Sequence, residues 1–299
     1  MENIKEKIIE LKKKKNAIIL AHYYQRDEIQ EIADFVGDSL ELSRRAQKND
    51  ADIILFCGVN FMAETAKILS PEKKVLLANG KAGCTMAKMV DEVALKEYLE
   101  KDPRFVVCYI NSYASVKAIS DVCVTSANAE KIVNNFKDKK ILYIPDKNLG
   151  NYLRTKYDLD LKVWPGYCKI HDELSIRDLE IKKALHPNAK VIVHPEAQLD
   201  ILERADHVSS TKGMFDFLAH DDGEEYIIGT EKGVLYQMKK DYPNKKFYIL
   251  SDRLVCPDMK KTTLEDVYNT LDQEINEINL DEEIRKKAAR AIERMLELS

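Results

Sequence analysis

Three cysteines stand at matching places in a sequence that repeats itself three times. Cys84, Cys168 and Cys256 follow an aspartate of their own repeat by 50, 47 and 50 residues. Three thiolates brought together could hold a zinc ion or an iron–sulfur cluster, and ligand type leaves both open. Structural zinc sites usually close with four ligands from paired motifs, whereas this sequence has no CxxC pair. A cubane cluster with three cysteine ligands leaves one iron free as a Lewis acid, which favours dehydration or condensation over electron transfer.

The other cysteines, Cys57, Cys108 and Cys123, lie inside apolar runs such as ILFCG and VVCYI. A thiol in such a run behaves as a small buried hydrophobe, so we predict that these three belong to the core. Six cysteines in 299 residues are also too few for a disulfide scaffold.

The elements that must position the three cysteines are short apolar runs that alternate with amphipathic stretches. This alternation predicts parallel α/β structure. The repeat is marked by Asp34, Asp121 and Asp206, each followed five residues later by a hydroxyl residue, and each unit closes at its cysteine. We therefore predict three parallel α/β/α units around a pseudo-threefold axis. Their predicted extents are residues 1–84, 85–168 and 169–256, with 257–299 packing on the first unit.

The first strand of each unit ends in two polar residues at positions i and i+2. In extended chain these two side chains face the same side. Function in open α/β sheets gathers beyond the carboxyl ends of the strands, so three such pairs favour a shared site over three structural coincidences. In the segment HPE a histidine beside a carboxylate could exchange protons near neutral pH. The pairs are His22 with Tyr24, Tyr109 with Asn111, and His194 with Glu196.

The hydroxyl residues of the repeat, Ser39, Ser126 and Thr211, each precede a helical run. Helix N-capping would explain any one of them. Three helix N-termini facing the axis could also bind anions, which would suit a substrate that carries carboxylates and a phosphate. Both interpretations can hold at once.

Composition excludes several classes of protein. The net charge of -4, with scattered Lys and Arg, gives no nucleic-acid footprint. No apolar run approaches the ~18 residues of a membrane helix. The N-terminal segment MENIKEKIIELKKKK has no signal-peptide core, so we expect a cytoplasmic protein without nucleic-acid or membrane partners.

Ordered motifs along nearly the whole chain, from about Lys15 to the C-terminal helix, resemble the quinolinate synthase family. They are AHYYQ, IADFVGDSLELSRRA, VNFMAETAKIL, YINS, VTSANA, PDKNLG, HPE, GTE and the three isolated cysteines. The resemblance implies three Rossmann-like domains and a [4Fe–4S] cluster with one open iron that acts as a Lewis acid. It implies a transferase that condenses iminoaspartate with dihydroxyacetone phosphate, losing phosphate and two waters, to form quinolinate for NAD biosynthesis. A separate aspartate-oxidising enzyme must then supply iminoaspartate.

The resemblance also implies roles for matched positions. Cys84, Cys168 and Cys256 would be the cluster ligands, and Tyr24, His194 and Glu196 are our candidates for proton transfer. Met62 would adjoin the cavity, and His171 would lie near the cluster. The implied substrate-binding residues are His22, Ser39, Tyr109, Asn111, Ser126, His171, His194, Glu196 and Thr211.

Two positions depart from the family pattern, and three other functions compete. Tyr23 stands where the family commonly has asparagine, and Tyr167 stands where it often has histidine. A hydro-lyase acting on a hydroxy acid could use the same open iron, and an iron–sulfur sensor or a structural zinc protein could use the same thiols. A sensor would need a partner surface or a DNA-binding segment, and the sequence contains no helix-turn-helix pattern or basic stretch.

Overall fold

Twelve strands form three separate four-stranded sheets in the computed structural model, which describes residues 2–299. Every strand pair within these sheets is parallel. The strands are β1 (Ala17–His22), β2 (Phe35–Gly37), β3 (Ile53–Cys57), β4 (Lys74–Leu77), β5 (Phe105–Tyr109), β6 (Val122–Val124), β7 (Ile141–Ile144), β8 (Leu161–Val163), β9 (Lys190–Val193), β10 (His207–Val208), β11 (Glu225–Gly229) and β12 (Lys246–Ile249).

Each sheet has its strands in the same spatial order, in which the unit's second strand lies at the edge beside its first. The orders are β2-β1-β3-β4, β6-β5-β7-β8 and β10-β9-β11-β12. Parallel neighbours need crossover connections, and helices supply them. The predicted fold of three Rossmann-like α/β units is therefore confirmed.

Fifteen α-helices within residues 2–299 connect and cover the sheets. None of these helices is long and apolar enough to cross a lipid bilayer. They are α1 (Glu2–Lys14), α2 (Asp27–Ile32), α3 (Ser39–Gln47), α4 (Asn60–Leu69), α5 (Glu92–Lys101), α6 (Ala114–Lys117), α7 (Ala129–Asn134), α8 (Lys147–Tyr157), α9 (Lys169–Asp172), α10 (Ile176–Leu185), α11 (Leu199–Leu202), α12 (Thr211–His220), α13 (Val234–Asp241), α14 (Leu264–Gln273) and α15 (Glu282–Leu298).

Burial explains why the central strands read as nearly continuous apolar runs. Every residue of Ile53–Cys57 and of Ile141–Ile144 is buried, because helices cover both faces of these sheets. Cys57, Cys108 and Cys123 are buried in β3, β5 and β6, as predicted for core thiols.

The aspartate that marks each repeat makes the same contact in all three units. The Ile19 N–H donates to Asp34 Oδ2 at 2.8 Å, and the Asp34 N–H donates back to the Ile19 carbonyl at 2.9 Å. Val106 with Asp121, and Val191 with Asp206, repeat both bonds, with N···Oδ2 distances of 2.7 Å. Each aspartate therefore fastens the start of the edge strand to the central strand 15 residues earlier.

The two helices in residues 257–299, which were predicted to pack on the first unit, pack in different places. Helix α14 lies against α1, β3 and β4 of the first unit, as expected. Helix α15 instead packs mainly against β6 and α6 of the second unit, and also against α4 of the first. Its buried Ala288, Ile292 and Met295 join one core cluster shared by both units, so its apolar face bridges them. We propose to keep 84/85 and 168/169 as the unit boundaries.

Candidate active site

A single cavity lies at the carboxyl ends of strands from all three sheets, with a space of about 1080 Å³ counting its open mouth. Every site residue predicted from the sequence lines it, including the neighbouring methionine. These residues are His22, Tyr24, Ser39, Met62, Cys84, Tyr109, Asn111, Ser126, Cys168, His171, His194, Glu196, Thr211 and Cys256.

The three cysteines of the repeat are half-buried at the cavity wall, unlike the fully buried core cysteines. Burial raises the pKa of Cys84 to about 12 and that of Cys256 to about 11. The field of Cys256 adds to the rise at Cys84, and the field of Cys84 adds to the rise at Cys168. The thiols are thus close enough to influence one another, and bound metal would be needed to keep all three as thiolates.

Buried carboxylates hold the backbone of two of these cysteines. The Cys168 N–H donates to Asp146 Oδ2 at 3.2 Å, and the Cys256 N–H donates to Glu231 Oε1 at 3.2 Å. Asp146 is fully buried, and Glu231 is 1% exposed and paired with Lys260 at 3.0 Å. Sequence reasoning missed these two supports, although the segments PDKNLG and GTE contain them.

Hydrogen bonds fix the tautomers of two cavity histidines. The Tyr24 N–H donates to His22 Nδ1 at 3.1 Å, and the Glu196 N–H donates to His194 Nδ1 at 3.3 Å. Each ring therefore carries its proton on Nε2, and His194 Nε2 lies 3.1 Å from Ser126 Oγ. Burial lowers the pKa of both imidazoles to about 3, so both are neutral donors at pH 7.

The hydroxyl residues of the repeat do not cap helices. Asp38 caps α3 and Ser210 caps α12, so Ser39 and Thr211 are the first residues inside those helices. Ser126 stands two residues before Asn128, which occupies the cap position of the short α7 without a capping side-chain bond. The capping interpretation was therefore wrong for all three, and their side chains line the cavity instead.

A chain of hydrogen bonds crosses the cavity wall from the first unit to the second through the third. Tyr24 Oη lies 2.9 Å from Thr211 Oγ1 and 2.6 Å from Thr230 Oγ1. Thr230 Oγ1 lies 2.9 Å from His171 Nε2, whose Nδ1 lies 2.7 Å from Glu196 Oε2. The Tyr109 hydroxyl then donates to Glu196 Oε1 at 2.6 Å. These contacts bring together the predicted proton-transfer candidates Tyr24 and Glu196.

The protonation states along this chain follow from its surroundings. Burial alone would raise the pKa of Glu196, but the charge of His194 in its protonated form and the bonds from His171 and Tyr109 hold that pKa below its usual value. Glu196 is thus an ionised acceptor 3% exposed to solvent. Burial raises the pKa of Tyr24 well above its usual value, so its hydroxyl keeps its proton.

Asn111 and Thr230 differ in their relation to the cavity. The Asn111 Oδ1 atom is buried without a hydrogen-bond partner in the described part of the chain, although the residue lines the cavity. An amide left in this state is suited to a polar group of a bound molecule. Thr230, by contrast, is fully buried and outside the cavity lining, and sequence reasoning gave it no role.

The two family departures sit beside this cavity. Tyr23 stacks on Phe215 of the third unit with ring centroids 4.8 Å apart. The Lys147 ammonium lies 4.4 Å from the ring centroid of Tyr167, next to Cys168. Both tyrosines thus make local packing contacts of their own.

Fold and site together define an α/β protein of three like units with a thiol-lined cavity where they meet. The family profile described as "Quinolinate synthetase A protein" matches residues 6–297. A quinolinate synthase of Caldicellulosiruptor saccharolyticus is 51% identical over 301 residues, covering 100% of this chain and 99% of its own. Quinolinate synthase 2 of Methanosarcina acetivorans is 47% identical over 297 residues, covering 99% of this chain and 96% of its own. The chain belongs to the quinolinate synthase family of enzymes.

Proposed function

We propose that this chain is a quinolinate synthase of NAD biosynthesis. It condenses iminoaspartate with dihydroxyacetone phosphate and releases quinolinate, one phosphate and two waters. One observation carries the proposal. Three thiols and several hydrogen-bond donors, supplied by all three units, line the same cavity. Full-length similarity to quinolinate synthases supports the same activity.

Cys84, Cys168 and Cys256 are the proposed ligands of a [4Fe–4S] cluster. Three half-buried thiols on one cavity wall, with field effects between them, fit that donor set. The buried carboxylates Asp146 and Glu231 hold two of the ligand backbones in place. The bound cluster would supply a Lewis-acidic iron without a cysteine ligand.

The substrates carry carboxylates and a phosphate, and the cavity offers neutral donors to bind them. His22 presents an Nε2–H group, His194 donates its own to Ser126 Oγ, and the hydroxyls of Ser39, Ser126 and Thr211 are unused for capping. Neutral donors hold anions without titrating between pH 5 and 8, because the pKa of both histidines is about 3. Asn111 supplies an amide with an unpaired oxygen.

Glu196 and Tyr24 are the proposed proton-transfer groups. The Glu196 carboxylate can accept a proton while Tyr109 and His171 hold it in place. The Tyr24 hydroxyl can donate one and regain it through the adjoining threonine hydroxyls. His194 is 3.9 Å from Glu196 through its Nδ1 atom, and its lowered pKa favours a role as donor to substrate over one as base.

Iminoaspartate must be supplied by oxidation of aspartate, so we propose a functional link to an aspartate-oxidising enzyme. We further propose that the protein works in the cytoplasm, where thiols are kept reduced.

Anaerobic purification tests the cluster first. We expect a brown protein with about four irons per chain and a visible absorbance that bleaches in air. Cys84→Ser should lose the colour and the activity, whereas the core variant Cys57→Ala should keep both. A zinc-free chain that stays colourless when iron and sulfide are supplied without oxygen would contradict the cluster.

The assay then tests the reaction. Purified enzyme with iminoaspartate and dihydroxyacetone phosphate should release quinolinate, detected by chromatography and mass spectrometry. Turnover of a hydroxy acid without any need for triose phosphate would instead identify a hydro-lyase.

A further inference from the structure

One of the three cysteines lies in a second set of metal-binding side chains. Ligand atoms of Cys168, His171 and Glu196 all lie within 4.8 Å of one another. His171 Nδ1 is at the centre, 3.3 Å from Cys168 Sγ and 2.7 Å from Glu196 Oε2. The other two cysteines of the repeat do not belong to this set.

These distances suit a tetrahedral zinc ion. Zinc–sulfur and zinc–nitrogen bonds of about 2.3 and 2.0 Å place neighbouring ligand atoms about 3.5 Å apart. The sulfur–nitrogen separation of 3.3 Å is close to this value, the nitrogen–oxygen separation of 2.7 Å must open slightly, and the sulfur–oxygen separation is within 4.8 Å. One thiolate, one imidazole and one carboxylate also favour Zn²⁺ over Mg²⁺ or Ca²⁺, which prefer oxygen ligands.

The side chains around these three already orient them as they would around a metal. His171 directs its other nitrogen, Nε2, to Thr230 Oγ1 at 2.9 Å, and a metal-bound imidazole usually has such a partner. Glu196 receives the Tyr109 hydroxyl on the oxygen that faces away from His171. His171 and Glu196 are 1% and 3% exposed, and all three residues line the cavity, which provides an entry path and a fourth position.

We propose that the cluster-free chain binds one Zn²⁺ ion through Cys168, His171 and Glu196. Because Cys168 is also a proposed cluster ligand, zinc at this site and the cluster exclude each other. Zinc would therefore block cluster assembly and occupy the carboxylate proposed for proton transfer. The shared cysteine makes this inference rest in part on the proposed function.

The test uses the full-length chain purified without oxygen, before and after cluster assembly. Zinc chloride is added, excess is removed, and bound zinc is measured by mass spectrometry and by competition with a chromophoric chelator. We expect one zinc per cluster-free chain, no uptake by the cluster-loaded chain, and X-ray absorption with one sulfur and the rest nitrogen or oxygen neighbours.

Variants separate this site from the proposed cluster site. His171→Asn and Glu196→Gln should weaken zinc binding by about tenfold or more, whereas Cys84→Ser should lose the cluster and retain zinc. Glu64→Gln is the matched control, because Glu64 is a carboxylate that accepts a backbone N–H away from these ligands. The X-ray absorption spectrum of the wild-type chain tests the zinc ligands without requiring any variant to fold.

Three results would overturn the inference. They are no bound zinc, three sulfur neighbours, or equal loss of zinc in Cys84→Ser and His171→Asn. None of these results bears on the iron content and colour of the cluster-loaded enzyme. The zinc site and the proposed function are therefore tested independently.

Discussion

The two ends of the repeated sheets differ in how strictly they repeat. At the amino ends, Asp34, Asp121 and Asp206 make the same pair of hydrogen bonds in each unit. At the carboxyl ends, the equivalent positions carry a histidine with a tyrosine, a tyrosine with an asparagine, and a histidine with a glutamate. A contact that holds a fold can be copied unchanged, whereas a cavity for an asymmetric ligand needs different groups around its wall.

The largest expected effect comes from the carboxyl ends. Glu196→Gln keeps the shape of the side chain but removes the ionised acceptor between Tyr109 and His171. Turnover should fall by about 10²-fold or more, while iron content and the visible spectrum stay at wild-type values. Full activity in this variant would refute the proton-transfer role.

The next effect concerns acid stability, which we assign to the buried histidines. The folded chain holds the pKa of His22 and His194 at about 3, against about 6.5 when unfolded. The unfolded chain then binds more protons below pH 6.5, so the free energy of unfolding falls as pH falls. From pH 7 to 5 each histidine should cost roughly 2 kcal/mol, measured by urea unfolding of the cluster-free chain.

His22→Gln provides the control for this measurement. It should remove one histidine's share of the pH dependence and leave the share of His194 in place. His194, Glu196 and Lys260 also act on the pKa of His22 and stay in the variant. An unchanged slope would show that His22 titrates normally in the folded chain.

The amino ends should respond in stability alone. Asp121→Ala removes the acceptor of the Val106 N–H and should lower the free energy of unfolding by about 1 kcal/mol. Asp206→Ala should cost a similar amount, because Val191 makes the same bond in the third unit. Chemical unfolding gives the stability, and steady-state kinetics of the loaded enzyme should be unchanged. A loss of turnover without a loss of stability would contradict the purely structural role of the aspartates at the amino ends.

The smallest expected effect tests a family departure. Tyr23 stacks on Phe215, and its hydroxyl makes only a long contact of 3.4 Å to Glu41. Tyr23→Phe should therefore change the free energy of unfolding by less than about 0.5 kcal/mol, whereas Tyr23→Asn should lose about 1 kcal/mol of ring stacking in addition to the burial of the ring. Equal losses in thermal or urea unfolding would mean that the hydroxyl matters more than the ring.

Sequence periodicity predicted the parts of the molecule that repeat. The parallel sheets, the buried Cys57 and the family are confirmed, and the pairs such as His22 with Tyr24 do line one cavity. Helix caps were misassigned by a single residue at Ser39, because Asp38 competes for the same N–H groups and accepts two of them. A pattern of spacing cannot separate two adjacent capping residues.

Contacts between distant units were beyond sequence reasoning. Thr230 meets Tyr24 across 206 residues, and neither residue type nor spacing indicates that bond. The packing of α15 on the second unit could not be predicted either, because an amphipathic pattern indicates that one face is buried but not which neighbour covers it.

The hydrogen-bond chain from Tyr24 to Tyr109 has a consequence for how the enzyme can be divided. Its members come from all three units. Its two ends, Tyr24 of the first unit and Tyr109 of the second, both bond to residues of the third unit. A fragment cut at either unit boundary would therefore lack part of this hydrogen-bond chain and should have no activity. Gene duplication could supply the three units, yet selection for catalysis could act only on the joined chain.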